Sequence, residues 1–256
     1  MKSEEIHKGK DQQKIIEVIQ LFKAFAGKQV LDGFDLDLYD GECLVVIGKS
    51  GSGKTVMIRC LVGLMTGESG KVSILGKSIP DLNQKELDEL RMHIGFLFQG
   101  SALYDSMSVR ENMEFPLRRL RKMFSGKEAV EQLIREVLGS VGLEQAIDLM
   151  PAELSGGMKR RIALARTLIL RPQIIFYDEP TTGLDPITAR EIIHLIGEVQ
   201  KKYKTSSLII THDLNIAKLI SDRVVILAEG KNYAEGTYED LKAANDSVIK
   251  AFFLSH

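Results

Sequence analysis

The sequence predicts an α/β fold built on a parallel sheet, and three observations carry that prediction. Five short, continuous apolar runs, CLVVIG, IGFLFQ, QIIFYDE, SLIITHD and RVVILAEG, read as strands buried on both faces. Most are followed by stretches of helical periodicity, the alternation of a doubly wound sheet. The first run ends in a glycine-rich loop that opens a helical pattern, at the strand edge where such sheets bind ligands.

The elements follow in chain order. The first thirteen residues, MKSEEIHKGKDQQ, are polar and lack the apolar core of a signal peptide. IIEVIQLFKAF and LDGFDLDLYDGE read as strands, the second alternating at Phe34, Leu36 and Leu38 before an Asp40-Gly41 turn, so a small antiparallel sheet is expected at the N-terminus. Between Gln99 and Ile169 the texture becomes helical, in VRENMEFPLRRL, GKEAVEQLIREVLGSVGL and LSGGMKRRIALARTLIL. A helical subdomain over about residues 100–169 is therefore expected, inserted within a single domain over 1–256. No internal repeat, low-complexity tract or interdomain linker stands out.

Composition narrows the function. With 256 residues and 44% hydrophobic side chains the chain is large enough for a sizeable core. Thirty-four Lys and Arg against thirty-five Asp and Glu leave a formal charge of −1, without the basic surplus of a nucleic-acid binder. No run approaches the roughly 20 apolar residues that a membrane-spanning helix needs. A membrane role is expected to pass through a partner. Cys43 and Cys60 flank the glycine loop in apolar surroundings and are expected to be buried thiols, suited to a reducing compartment.

Gly48-Lys49-Ser50-Gly51-Ser52-Gly53-Lys54-Thr55 fits G-x-x-x-x-G-K-[ST], the phosphate-binding P-loop, in the strand-loop-helix setting the motif requires. The glycines let successive N–H groups turn inward toward phosphates, and the helix N-terminus adds its partial positive charge. Lys54 would reach the β- and γ-phosphates of ATP, and Thr55 would offer its hydroxyl to Mg2+. IIFYDEP supplies the acids: four apolar residues pack in the sheet and end in Asp178 and Glu179 at its carboxyl edge. Asp178 is expected to hold Mg2+, directly or through water. Glu179 is expected to polarise the water that attacks the γ-phosphate.

LSGGMKRR, from Leu154 to Arg161, adds a second phosphate-binding device, a serine and two glycines opening a helix about a hundred residues after the first. With these motifs in this order, the chain resembles the nucleotide-binding subunits of ABC transporters over nearly its whole length. The resemblance implies a head-to-tail homodimer in which Ser155, Gly156 and Gly157 of each copy close on the ATP held by the other's P-loop. It further implies that Phe25 stacks on adenine, that Gln99, ending the strand IGFLFQ, senses the γ-phosphate side and contacts the metal, that Asp185 crosses the dimer interface, and that His212 contacts the γ-phosphate. The catalytic set is then Glu179, His212, Gln99 and Lys54, and the metal set Thr55, Gln99 and Asp178. His7, His93, His194 and His256 match nothing in the pattern. No element of the hydrolytic set is replaced, which argues for an active ATPase.

Two segments are similar to the ATPases of MCE-type (Mla-like) phospholipid transporters: FQGSALYDSMSVRENMEFPLR, and MPAELSGGMKRR with Met158 and two arginines after the signature. That branch implies an integral membrane permease, an MCE-domain lipid-binding protein and, in some relatives, a small STAS-domain subunit as partners, at the cytoplasmic face of the inner membrane. The first segment also lies where the family receives a coupling helix of the permease, and Leu103, Tyr104, Met107 and Met113 are its candidate contact surface. The competing readings are the ATPase of an amino-acid or lipoprotein ABC system and a soluble ABC protein without a transport role. The single uninterrupted cassette argues against the last, whose members carry paired cassettes or long insertions.

Overall fold

A computed structural model describes residues 13–118 and 126–254. The polar N-terminal stretch up to Gln12, with His7 in it, and His256 fall outside these residues, as do Arg119 and Leu120 at the end of a predicted helical run. The chain divides into two compact units, Met1–Asp88 with Ser206–His256, and Glu89–Thr205. The second reaches well beyond the expected helical insert, because it includes two strands and a further long helix.

In the first unit, β1 (Lys14–Phe25) and β2 (Lys28–Tyr39) form an antiparallel hairpin. Its two-residue loop, Ala26-Gly27, has positive φ at both positions, 48° and 81°, the handedness that matches strand twist. β4 (Ser69–Ile74) and β5 (Lys77–Ser78) complete a four-stranded sheet in the order β2-β1-β4-β5. β3 (Cys43–Ile47) lies parallel between β8 (Ser206–Thr211) and β9 (Arg223–Ala228), with Val45 opposite Ile209 on one side and Val224 on the other. Every residue of β3 and β8 is buried, as a strand covered on both faces requires. β10 (Lys231–Gly236) pairs antiparallel with β9. The helices are α1 (Lys54–Leu61), α7 (Leu214–Ile220), α8 (Tyr238–Ala243) and α9 (Ser247–Leu254). α2 (Gln84–Arg91) spans the division in sequence.

A charged pair is buried in this unit. Arg223 donates through Nε to Glu42 Oε1 at 2.9 Å and through Nη2 to Oε2 at 3.1 Å, and the Tyr39 amide donates to the same Oε2. Desolvation works against the guanidinium, but the Glu42 carboxylate, joined by Glu235 at 3.3 Å from Nη1 and by Tyr39, outweighs it and holds the Arg223 pKa above its ordinary value.

In the second unit, β6 (Ile94–Leu97) and β7 (Ile174–Asp178) pair in parallel, Phe96 opposite Phe176. Its longer helices among the described residues are α3 (Val109–Leu117), α4 (Lys127–Ser140), α5 (Gly156–Leu168) and α6 (Pro186–Tyr203). Reciprocal bonds between Ser108 and Glu111 cap α3, and Ser155 and Asp185 cap α5 and α6. β7 buries four residues in succession, whereas β6 alternates buried and half-buried positions, so only β7 has the fully covered character expected for both.

Candidate functional site

The glycine loop runs from the end of β3 into α1. A side chain at Gly48 would meet Ser52 Oγ at 2.4 Å and the Leu227 carbonyl at 3.0 Å, so even a methyl there would force the loop to shift. Gly51 and Gly53 adopt φ of 77° and 104°, which glycine reaches without steric penalty. Lys54 is only 8% exposed, and its ammonium folds back over the loop to donate to the carbonyls of Gly48 at 2.6 Å and Lys49 at 3.1 Å. Lys49, Ser50, Gly51 and Thr55 lie at the surface.

Two features of the loop fit a phosphate. No side chain caps α1, whose first turn carries no acid, so its leading N–H groups face outward with the positive end of the helix dipole. Ser52 Oγ is buried without a hydrogen-bond partner. An anion seated in the loop would supply acceptors to both.

The other predicted residues of this unit are Phe25 and His212. Phe25 closes β1 beside the hairpin turn, 43% exposed, with the Lys23 ammonium 5.4 Å from its ring centre. A flat ring held at a strand end is suited to stacking. His212 is exposed immediately after β8, between two pinned neighbours. Thr211 is fully buried, and its hydroxyl accepts from the Asp213 amide at 2.9 Å, while Asp213 caps α7 through Asn215 N at 2.8 Å.

In the second unit, Gln99 lies two residues beyond β6, which ends at Leu97, so it stands in a loop and not at the end of the strand as expected. Just past the ladder the Phe98 carbonyl accepts from Arg160 Nη1, at 2.9 Å. Ser101 and Ala102, further along this loop, have φ of 61° and 49°, and Arg166 Nη2 donates to the Ala102 carbonyl at 2.8 Å. Asp178 ends β7, and Glu179 follows with φ of 49°. For a residue with a Cβ this left-handed conformation costs on the order of 1–3 kcal/mol, and such outliers gather at functional positions. The Thr182 hydroxyl donates to Glu179 Oε2 at 3.2 Å.

Ser155 accepts from Met158 N at 3.2 Å and leaves Gly156 exposed at the start of α5. A side chain at Gly157 would come within 2.8 Å of Thr188 Cγ2, so glycine permits the close approach of α5 to α6. The Asp185 carboxylate is engaged by the Thr188 hydroxyl at 2.6 Å and by the amides of Ile187 and Thr188. The Thr188 hydroxyl first, and the amides after it, lower its pKa. Among the described residues no group of three or more His, Cys, Asp or Glu is arranged to hold a metal ion. Mg2+ needs no such cluster, because one or two protein oxygens suffice when water and phosphate oxygens complete its shell.

Of the four candidate contact residues, Tyr104 is 42% exposed and Leu103 and Met107 are half-buried, but Met113 is wholly buried and is a core residue. Its place one turn from Val109 on α3 puts both on the packed face. Asn112, on that same face, was not singled out from sequence. Its fully buried amide accepts from Tyr104 N and donates to the carbonyls of Tyr104, Met107 and Ser108, which fixes the loop before α3. A polar residue amid the apolar positions of an amphipathic helix is the signal that marks it. No structural role was read from sequence for Arg160 or Arg166, because arginines on a helix whose charges are all basic read as solvated.

These elements define a P-loop nucleoside triphosphatase of mixed α/β architecture. Residues 31–182 match the ABC transporter family model. The chain is 36% identical to the methionine import ATP-binding protein MetN of Clostridium tetani, over 92% of this chain and 73% of that protein. It is 37% identical to the probable ribonucleotide transport ATP-binding protein mkl of Mycobacterium leprae, over 93% and 68%. It is 36% identical to the chloroplastic protein TRIGALACTOSYLDIACYLGLYCEROL 3 of Arabidopsis thaliana, over 94% and 74%. Among solved structures, an ATP-binding cassette dimer in a post-hydrolysis state with ADP and Pi superimposes with a TM-score of 0.76 at 29% identity, over 87% of this chain and 98% of that one. The chain belongs to the ABC transporter ATP-binding family, and it is an ABC-type ATPase. Cassettes of this family pair as dimers and work with membrane permeases.

Proposed function

We propose that this chain is the peripheral ATPase subunit of a phospholipid transporter, acting at the cytoplasmic face of a membrane with an integral permease and an MCE-domain lipid-binding protein. The observation that carries the lipid assignment is the segment Phe98–Arg118, whose Ala-Leu-aromatic-Asp-Ser-Met and Phe-Pro-Leu-Arg runs have the character of that branch. The relative named for trigalactosyldiacylglycerol, a galactolipid, supports it. The relative named for methionine import favours a second reading, the ATPase of a small-solute importer. No helix among the described residues is long and apolar enough to cross a membrane, so attachment through a permease suits both. A STAS-domain subunit is a further partner in the lipid reading.

In this mechanism Gly48 to Thr55 cradle the phosphates of ATP, Lys54 balances their charge and Phe25 stacks on the base. Ser155, Gly156 and Gly157 of the second copy present their helix start to the same nucleotide, with Asp185 at the dimer interface. Thr55, Asp178 and Gln99 would hold Mg2+, which supplies charge neutralisation at the β- and γ-phosphates. Glu179 orients and polarises the attacking water, and Gln99 and His212 sense the γ-phosphate. Catalysis rests on positioning and electrostatics, with no covalent enzyme intermediate.

Two experiments test the reading. Glu179→Gln should retain ATP binding, lose turnover by about 100-fold or more and accumulate an ATP-bound dimer on size exclusion, as loss of a general base predicts. Wild-type turnover would remove Glu179 from its role. Affinity purification of the tagged chain from native membranes in mild detergent, with mass spectrometry of proteins and lipids, should recover a permease, an MCE-domain protein and phospholipid. A permease accompanied by a solute-binding protein would transfer the assignment to the importer reading.

A further inference from the structure

We propose that Arg160 is a positioning residue of the ATPase cycle, through which the signature helix α5 grips both the loop that carries Gln99 and the turn that carries Glu179. The proposal rests on the catalytic roles assigned to those two residues above. Arg160 is 4% exposed, and among the described residues no carboxylate pairs with it. Its two terminal nitrogens serve backbone carbonyls from different segments: Nη1 donates to Phe98 O at 2.9 Å and Nη2 to Thr182 O at 3.2 Å. Nε is buried without a partner.

A guanidinium in this position is expensive. Desolvation lowers the Arg160 pKa, yet the group keeps its charge, and a buried charge without a counter-ion costs far more than an apolar side chain of the same length would. What the charge provides is a fork that reaches two carbonyls at once, which no apolar or singly donating residue can do.

Each carbonyl sits next to a residue of the proposed machinery. Phe98 immediately precedes Gln99. Thr182 closes the turn after β7, where its amide donates to Glu179 O and its hydroxyl to Glu179 Oε2, both at 3.2 Å. Glu179 holds its left-handed φ of 49° only if the surrounding bonds over-determine the turn. Arg160 therefore supports the conformation of the acid through Thr182 and the backbone of Gln99 through Phe98. It stands four residues after Gly156, one helical turn from the exposed start of α5, so a nucleotide bound against that start is joined to both segments by a single rigid element. Arg166 on the same helix fastens the far end of the Gln99 loop, at Ala102 and Ser101.

The test uses the full-length chain in three variants, Arg160→Met, Arg160→Lys and Thr182→Val. ATP affinity, the thermal midpoint, and kcat and KM by phosphate release are measured for each. Arg160→Met should lower kcat about tenfold or more while KM for ATP stays within about twofold, and Arg160→Lys should recover part of the loss through one of the two carbonyls. Thr182→Val cuts only the link to the carboxylate and should lower kcat without moving the thermal midpoint, an unchanged kcat overturning that link; if Arg160→Met fails to fold, Arg160→Lys carries the test, with kcat lowered and KM for ATP near wild type. The proposal is overturned if Arg160→Met turns over ATP at the wild-type rate, if kcat and affinity fall together, or if Arg160→Lys is no better than Met. Glu179→Gln, run alongside, separates the two claims. Wild-type turnover in that variant overturns the catalytic assignment itself, whereas an inactive Glu179→Gln beside a wild-type Arg160→Met overturns only the role of Arg160.

Discussion

A methyl group added at Gly48 would probe how closely the phosphate loop is packed. The new carbon meets Ser52 Oγ at 2.4 Å, Leu227 O at 3.0 Å and Lys54 Cδ at 3.4 Å. The Ser52 hydroxyl can rotate away, since its Oγ has no hydrogen bond to lose. The Leu227 carbonyl cannot, because it belongs to the backbone of β9. Residue 48 must therefore shift by a few tenths of an ångström, and its own carbonyl, which receives the Lys54 ammonium at 2.6 Å, shifts with it. Overpacking of this kind costs about 1–3 kcal/mol. If the free loop relaxes and must be forced back to seat the phosphates, ATP affinity falls by the same free energy, about 5- to 150-fold at tenfold per 1.4 kcal/mol. Titration of Gly48→Ala with a fluorescent ATP analogue measures the loss, and circular dichroism confirms that the variant is folded. Adding Ser52→Ala removes the 2.4 Å contact but not the 3.0 Å one, and should restore only part of the affinity. Binding by Gly48→Ala within twofold of wild type would refute the close-packed cradle.

Three further outcomes are expected. Glu42→Gln leaves the buried Arg223 with only the half-exposed Glu235 carboxylate, 3.3 Å from Nη1, as counter-charge and should cost about 1–3 kcal/mol, a fall of roughly 2–12 °C in thermal midpoint for a chain of this size. A Glu42→Leu and Arg223→Met double variant should recover most of that, and a loss below about 1 kcal/mol for the single variant would show that the pair is not the buried unit described. Burial raises the pKa of both Cys43 and Cys60, with the Asp222 and Glu42 charges adding to the effect at Cys43 and the Lys23 charge opposing it at Cys60, so both are less reactive than a free thiol. Iodoacetamide should leave both unmodified in the native protein and label both in urea, and native labelling of Cys43 would contradict its burial. Alanine at Tyr104 and Met107 should uncouple transport while basal ATP hydrolysis persists; equal loss of both activities would assign these residues to folding.

The strands were legible because their burial is written in composition. CLVVIG and the Leu208-Ile209-Ile210 centre of SLIIT are continuous apolar runs, and a run with no polar face can only be covered on both sides, as β3 and β8 are. IGFLFQ looked the same but behaves differently: its outer positions are half-buried, and the chain abandons the ladder after Leu97. Periodicity cannot tell a covered strand from one whose carbonyl is claimed by an arginine 62 residues later. Met113 shows the same limit, since a methionine on an amphipathic helix reads equally as core or as contact surface until its neighbours are placed.

The sequence by itself determined the chemistry of the phosphate loop, because that chemistry is local: glycines that free the backbone, a helix start with no side-chain cap, and a lysine at the first helical position act within eight consecutive residues. It also determined the acids at the end of β7 and the serine-capped glycines that open α5. Tertiary structure alone decided what holds these segments. The left-handed backbone of Glu179 and the Thr182 hydroxyl on its carboxylate form a local turn, and the fork of Arg160 between Phe98 and Thr182 ties that turn to positions far away in the chain. A guanidinium reads as solvated in any sequence. Only the burial of its surroundings turns it into a connector, because removal of water makes each carbonyl it reaches a partner the fold must keep.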